Sequence, residues 1–335
     1  MNQSLAVIWR EEALAAGFVR VGFARAGAPA HFEDFRRWIG EGRHAGMDYL
    51  ARTADLRGNP DGLLPGARSV VCLAARHETR PVAAADGSRL ARYAAGPDYH
   101  WSLRQKAERV ARAAARRMDR PVRYRICVDS TPVAERSFAA AAGLGWIGKN
   151  GCLIDPELGS FLLLAEIVTD ADLPPDNPIA ERCGTCTRCL EACPTQAFAA
   201  PGVLDARRCI AYWTIEHRGP LPDAVKAQIG PHVFGCDICQ EVCPFNAPLV
   251  SAEPADVPTR AQWLETGGGE WRRRWGATAL NRAGRRGLQR NAAASAGGAG
   301  DASCATLLCR HAQGGDAGLA DAAAWALQRL PPARD

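Results

Sequence analysis

The sequence predicts an α+β protein in three parts: an α/β-type N-terminal domain over residues 1–175, a cysteine-rich domain over 176–250 and a basic, α-helical region over 251–335. Three observations carry this reading. Apolar strand runs alternate with helical periodicities through the first 175 residues. Two groups of closely spaced cysteines then follow a proline-rich stretch. Alanine-rich helical segments with glycine breaks occupy the rest. At 335 residues and 47% hydrophobic content, the chain can bury a full core in two or three domains.

Taken in order, residues 4–16 read as an amphipathic helix with Ser4 as its cap and Gly17 as its stop. Phe18 to Phe23 alternate as a short strand, and Ser69 to Leu73 (SVVCL) form a buried strand with Cys72 in the core. Trp101 to Met118 is a helix with one strongly basic face, for which a solvated face is the simplest reading. Val122 to Val128 (VRYRICV) alternates as a strand and delivers Asp129 at its carboxyl end. Glu135 to Ala142 is a helix ended by Gly143, and Phe161 to Val168 (FLLLAEIV) is another buried strand. Leu173 to Ile179 (LPPDNPI) is a linker. After Pro248, Ser251 to Thr266 is loop-like and Gly267 to Gly269 flexible. RNAAASAGG and ADAAAWALQRL then read as inner helices of two short repeats.

The cysteines set the chemistry. Cys183, Cys186, Cys189 and Cys193 stand at C-x2-C-x2-C-x3-C-P, the spacing of bacterial two-cluster ferredoxins, in which the fourth cysteine ligates the other cluster. Cys209, Cys236, Cys239 and Cys243 form the second set, the last again followed by proline. The expected ligation is therefore crossed: Cys183, Cys186 and Cys189 with Cys243, and Cys209, Cys236 and Cys239 with Cys193. Eight thiolates make two [4Fe-4S] clusters with none left over. Structural zinc would pair one C-x2-C with another and needs no triplet ending in C-x3-C-P. Disulfides would require export, and such short loops close poorly. A two-cluster ferredoxin-like domain means a protein that moves single electrons.

Formal net charge is +5, carried mostly by arginine. The N-terminus has acidic residues where a signal peptide's apolar run would continue, and no stretch is long and apolar enough to span a bilayer. Thirteen cysteines, eight of them in cluster spacing, fit a reducing compartment, so the expectation is a cytoplasmic, soluble chain with no membrane partner.

A second informative stretch runs from Val128 to Ile154. Asp129 ends a strand before a proline turn, a common way to aim an acid into a cavity. Gly143, Gly145, Gly148 and Gly151 surround Trp146 and Lys149, letting backbone approach a large ligand or take positive φ. The plain alternative is that Asp129 caps its turn and Glu135 pairs locally. No G-x-G-x-x-G links a strand to a helix, so dinucleotide binding is unsupported. Between Trp271 and Arg290 stand Arg272, Arg273, Arg274, Arg282, Arg285, Arg286 and Arg290 with no acid among them. Such a run suits phosphate contacts, with Trp271 and Trp275 as stacking surfaces; the alternative is a solvated helix face over buried tryptophans.

The string D-S-x-P-x-x-E-R-x-x-A-x-x-A-G-L-G-W-I-G-K-N, followed by the two-cluster pattern, closely resembles the epoxyqueuosine reductases of the QueG type. The resemblance extends from about Gly17 to Leu288. MDYLARTADLRGNP, LLPGARSVV, RYAAGPDYH, GSFLLLAEIVTD and LNRAGRRGLQRNAA also carry it, while the tail from about Gly297 resembles the family's HEAT-like helices only loosely.

That resemblance implies an enzyme that reduces the epoxide of epoxyqueuosine to queuosine at the tRNA wobble position, the last step of queuosine biosynthesis. It implies an N-terminal domain similar to that of reductive dehalogenases, holding base-off cobalamin, with two [4Fe-4S] clusters feeding it electrons. The position of Asp129 matches the family's proton donor, and burial against the corrin is expected to raise its pKa. By motif position, Arg52, Arg57, Tyr93, His100, Trp146, Gly148, Lys149 and Ser160 become candidate cofactor or substrate contacts. Arg272, Arg273, Arg274, Arg282, Arg285 and Arg286 become candidate contacts to the tRNA anticodon stem-loop. An external electron donor is required, and the expected state is a monomer. Two other readings stay open: a reductive dehalogenase-like corrinoid enzyme on a small molecule, and a ferredoxin-like carrier or RNA-binding scaffold without chemistry. The arginine-rich tail and lack of an export signal weigh against the first, and the long N-terminal domain with its Asp129 stretch against the second.

Overall fold

The computed structural model describes residues 2–77, 80–249 and 257–332. Helix α1 (Asn2–Ala15) starts two residues ahead of Ser4 and is followed by Gly17 at φ 84°, a left-handed stop. In chain order there follow β1 (Arg20–Arg25), β2 (Ser69–Arg76), β3 (Arg89–Leu90), α2 (Tyr99–Arg116), β4 (Tyr124–Cys127), α3 (Glu135–Ala141), the hairpin β5 (Trp146–Ile147) and β6 (Leu153–Ile154), and β7 (Leu162–Thr169). The main sheet has the order β1-β2-β7-β4 with every pair antiparallel, which makes the N-terminal part α+β rather than parallel α/β.

Both faces of this sheet are covered, which explains the unbroken apolar run in β2 and the apolar run of β7, interrupted by Glu166. Alternation sorts the side chains. Val71 and Leu73 pack under α1 and α2 with Trp9, Ala13, Leu103 and Ala107, whereas Val70, Cys72 and Ala74 pack under α3 with Phe138 and Ala139. Each large side chain so buried contributes about 1.5–3 kcal/mol. The proline-rich stretch is no loose linker. Leu173 is fully buried, the Asp176 amide donates to the Phe23 carbonyl at 2.9 Å, and the Asp176 carboxylate accepts from the Phe23 amide at 2.8 Å. It thereby covers the outer edge of β1.

Beyond it lie α4 (Arg188–Glu191), β8 (His232–Phe234), α5 (Ile238–Glu241), α6 (Arg260–Glu265), α7 (Gly268–Arg274), α8 (Gly284–Ala299), α9 (Ala305–Ala312) and α10 (Ala317–Leu327). Strand β8 runs parallel to β3, so the cysteine-rich segment shares a small sheet with the N-terminal part. One apolar core joins Leu90 and Ala94, Ile210 and Phe234, and Trp263, Leu288 and Ala323, from all three parts of the chain. Residues 250–256, which include the expected boundary at 250/251 and the start of the expected loop from Ser251, lie outside the described residues. Part of the rest of that loop is helical: Thr259 and Gln262 form a capping box that starts α6. Helices α8 and α10 approach so closely that a Cβ on Gly297 would come within 2.6 Å of the Ala326 Cα. Among the described residues no helix is long and apolar enough to cross a membrane.

Candidate active site and cysteine cavity

Asp129 follows β4 in the left-handed region, at φ 47°, a conformation that costs a non-glycine residue energy and persists only where surrounding contacts hold it. Those contacts are specific. Its backbone N–H donates to Glu135 Oε1 at 2.5 Å, at the first turn of α3. Its carboxylate Oδ2 accepts from the Tyr99 hydroxyl at 2.8 Å and lies 2.7 Å from His100 Nε2. The other ring nitrogen of His100 is 2.7 Å from Asp98 Oδ1, which also accepts the His100 backbone N–H and so caps α2. The start of α2 and the end of β4 thus assemble an Asp98–His100–Asp129 array.

The electrostatics differ from the sequence expectation. Burial pushes the Asp129 carboxyl up, but the His100 and Tyr99 hydrogen bonds and the charges of His100 and Arg282 outweigh it, and the group is held below its ordinary value. The Asp129 side chain is 53% exposed, and burial is still the largest single influence on its carboxyl, outweighed only by the hydrogen bonds and charges acting together. His100 is raised, chiefly by its hydrogen bond to Asp129, with burial opposing and Asp98 assisting. The arrangement therefore favours an ionised Asp129 and a protonated His100, whose two ring nitrogens each face a carboxylate.

Around this array sit groups from four segments. Arg57 donates to the Val133 carbonyl at 3.4 Å and is close enough to feel Glu135 and Asp129; burial lowers its pKa. The Arg282 guanidinium lies 5.3 Å from the centre of the Tyr49 ring and bonds Glu216 at 2.9 and 2.6 Å. Tyr93 packs edge-on against Tyr99, with centroids 5.8 Å apart. Tyr93 and Tyr99 line a cleft of about 210 Å³ together with His77, Arg92, Ser102 and Leu163. Arg92 anchors the far side, bonding Glu241, while its amide donates to Asp237 beside Cys236. Arg52 stands exposed at the end of the short helix Asp48–Arg52.

The cysteines gather in two sets. Cys183, Cys186, Cys189 and Cys243, distant in sequence, line one cavity of about 240 Å³. Cys193 and Cys209 lie near Cys236, whose thiol is pushed up to about 12 mainly by burial. Sulfur in both sets meets N–H donors: Trp146 Nε1 to Cys183 Sγ at 3.5 Å, and the Ala197 amide to Cys193 Sγ at 3.3 Å. Such donors favour the thiolate form and tune a cluster. Convergent thiols with sulfur-directed donors fit [4Fe-4S] ligation.

Several expected cofactor contacts lie elsewhere. Trp146 is buried against Cys183 and Phe245, and Lys149 Nζ donates to the carbonyls of Gly184 and Cys186 at 2.6 and 3.0 Å, so both build the cysteine cavity. Gly148 is required by β6, since a Cβ there would sit 2.4 Å from Ile154 Cδ1. Gly145 is likewise pressed on the Ile154 carbonyl, at 2.2 Å from a Cβ position. These glycines serve chain packing, not approach to a ligand. Ser160 is saturated: its hydroxyl donates to Gln240 and accepts from Asn246, both at 2.9 Å, tying the start of β7 to the cysteine-rich segment.

The arginine run also divides. Arg290 is buried and binds the carbonyls of Trp213, His217 and Gly219. It is a structural clamp, contrary to the phosphate reading. Trp271 is buried and Trp275 packs on Trp263 with centroids 5.1 Å apart, so neither offers a free stacking face. Carboxylates do balance part of the run in space: Glu270 pairs with Arg274 and Glu216 with Arg282. Arg285 and Arg286 both bond Gln289, at 3.1 Å, and Arg272 and Arg273 are exposed on α7.

Two family models match the chain: "4Fe-4S double cluster binding domain" over residues 182–246, and "Epoxyqueuosine reductase QueG, DUF1730" over residues 57–130. The epoxyqueuosine reductase of Xanthomonas campestris is 40% identical over 299 residues, covering 85% of this chain and 84% of the relative. That of Gloeobacter violaceus is 41% identical over 312 residues, covering 87% and 96%. The chain belongs to the epoxyqueuosine reductase family. It is an enzyme of that family with a 4Fe-4S double-cluster domain, and zinc and disulfide readings of the cysteines fall away. A crystal structure of epoxyqueuosine reductase with an epoxyqueuosine-modified tRNA-Tyr stem loop superposes with a TM-score of 0.89 at 30% identity, covering 98% of this chain and 91% of that one. A Bacillus subtilis epoxyqueuosine reductase, described with its aspartate catalytic loop swung out of the active site, gives 0.89 at 29%, covering 98% and 91%.

Sequence reasoning missed several residues of this epoxyqueuosine reductase site. Asp98 and Tyr99 flank His100 in the quoted RYAAGPDYH and carried a cap signal, an Asp before a helical run. Tyr49 and Glu216 gave no signal, because only the tertiary fold brings them near Arg282.

Proposed function

We propose that this enzyme reduces the epoxide of epoxyqueuosine at the tRNA wobble position to queuosine, with Asp129 and His100 as the proton-delivering couple. The observation that carries this is the Asp98–His100–Asp129 array, which sets an imidazole between two carboxylates, one of them on a strained backbone, beside an aromatic cleft. The overall reaction consumes two electrons and two protons, converts the epoxide to an alkene and releases water. The departing oxygen needs a proton, and His100 through Asp129 can furnish it. The aspartate catalytic loop in the name of the Bacillus subtilis relative supports giving Asp129 this role.

Electrons would enter from an external donor through two [4Fe-4S] clusters, one on Cys183, Cys186, Cys189 and Cys243, the other on Cys193, Cys209, Cys236 and Cys239. The cleft walled by Tyr93 and Tyr99, between Asp129 and the segment of Cys236, would offer an aromatic wall to one side of a flat, electron-accepting macrocycle such as base-off cobalamin. Its surroundings would be Tyr93, Tyr99, His77 and Arg92, with Arg57 on the Asp129 side and Arg52 further out. Bound there, cobalamin would supply the strong reductant that epoxide reduction requires. The enzyme would act as a cytoplasmic monomer, with α8 to α10 as the HEAT-like part and α7 presenting arginines to the anticodon stem-loop.

Substrate scale gives the test. Arg272, Arg273 and Arg274 changed together to Ala should weaken tRNA binding and flatten the slope of log affinity against log salt by about 1–2. Reduction of the free nucleoside should change little. Equal loss on nucleoside and tRNA would mean that these arginines support the fold instead.

A further inference from the structure

Glu166 lies in β7 directly opposite Cys72 of β2 and Cys127 of β4, on the sheet face covered by α3. It is fully buried, and neither carboxyl oxygen has a hydrogen-bond donor among the described residues. A buried carboxylate without donors is untenable; the group neutralises by keeping its proton. A carboxylic acid then has a hydrogen to give, and the carboxyl that acts on it most strongly is that of Glu135, in the first turn of the helix α3 that covers this sheet face. Glu135 in turn accepts the Asp129 backbone N–H.

We propose that Glu166 is a permanently protonated acid that donates to Glu135, and that this carboxyl pair is the positioning device holding Asp129 in its left-handed conformation. The arrangement is a relay of orientation: Glu166 fixes the Glu135 carboxyl, Glu135 fixes the Asp129 amide, and the Asp129 carboxylate is thereby aimed at Tyr99 and His100. Its charged surroundings are consistent. Glu135 faces Asp129 from the loop, Arg136 from its own helix and Arg57 from the N-terminal helical turns, while Glu166 faces Cys72, Cys127, Glu135 and Asp129. Burial and the Asp129 charge push Glu135 up to about 7, and burial pushes Glu166 well above its ordinary value, so the pair favours holding a proton between its two carboxyls.

The inference rests on the catalytic role proposed for Asp129, but its first readout does not. Infrared spectra of the wild-type holoenzyme at about pH 8, where an ordinary glutamic acid is ionised, should keep a protonated-carboxyl band. Glu166→Gln should remove that band while retaining a neutral donor to Glu135, so turnover should stay within about twofold. Glu166→Leu should lower kcat by roughly tenfold or more with little change in KM, because the donor is lost and the loop relaxes. No band in the wild type, or Glu166→Gln as damaging as Glu166→Leu, overturns the proposal. A band without epoxide turnover would instead count against the functional reading alone.

Discussion

Asp129→Asn should lower turnover by about 10²-fold or more, the scale for losing a positioned proton-transfer group, while clusters, cobalamin and tRNA affinity survive. The amide keeps the shape of the carboxyl and can still meet the Tyr99 hydroxyl, but it removes the charge that raises His100 and cannot pass on a proton. The same couple fixes a pH dependence. The raised His100 contributes stabilisation that is complete below its ordinary value of 6.5 and lost as pH rises through its higher folded value. The depressed Asp129 contributes stabilisation present above 3.8 and lost as pH falls through its lower folded value. The charged pair is thus intact between those ordinary values, and turnover should decline on the alkaline side as His100 deprotonates. Asn at 129 should move that decline to lower pH, read from kcat profiles. An unmoved profile with near-normal turnover would place the proton donor elsewhere.

Cys243→Ala should remove the cluster of Cys183, Cys186 and Cys189 and leave the other. Cys243 closes the 240 Å³ cavity with those three residues although it lies more than fifty positions away in sequence. Iron and acid-labile sulfide should each fall from about eight to about four per chain. The remaining spectrum should vanish on changing Cys209, Cys236 or Cys239. Loss of the cluster on Cys209, Cys236 and Cys239 instead would mean that the ligation is not crossed.

How far the sequence could be read depended on whether a signal was local. The cysteine spacing and the SVVCL and FLLLAEIV runs follow from periodicity and ligand geometry, so the sheet strands and the thiol sets were legible. Direction was not: antiparallel pairing of β2 with β7 depends on chain segments far apart. Lys149 and Trp146 illustrate the limit at the site. Their glycine-rich setting suggested a ligand, yet the hairpin needs those glycines for its own packing, and the fold turns both side chains to the cysteines. Arg290 misled for a similar reason, because charge in sequence does not report burial; its guanidinium is consumed by three backbone carbonyls. Asp129 stood out from its strand-end position, but its protonation state could not, since His100 lies on a separate element, the helix α2.

The central claim is epoxide reduction on tRNA by this chain. The most direct measurement incubates the anaerobically reconstituted enzyme, loaded with both clusters and cobalamin, with a strong reductant and tRNA bearing epoxyqueuosine, followed by nucleoside mass spectrometry. The account predicts conversion of epoxyqueuosine to queuosine, the product lacking one oxygen atom, dependent on cobalamin and on Asp129. Unchanged epoxyqueuosine with both cofactors fully loaded and reduced would contradict it.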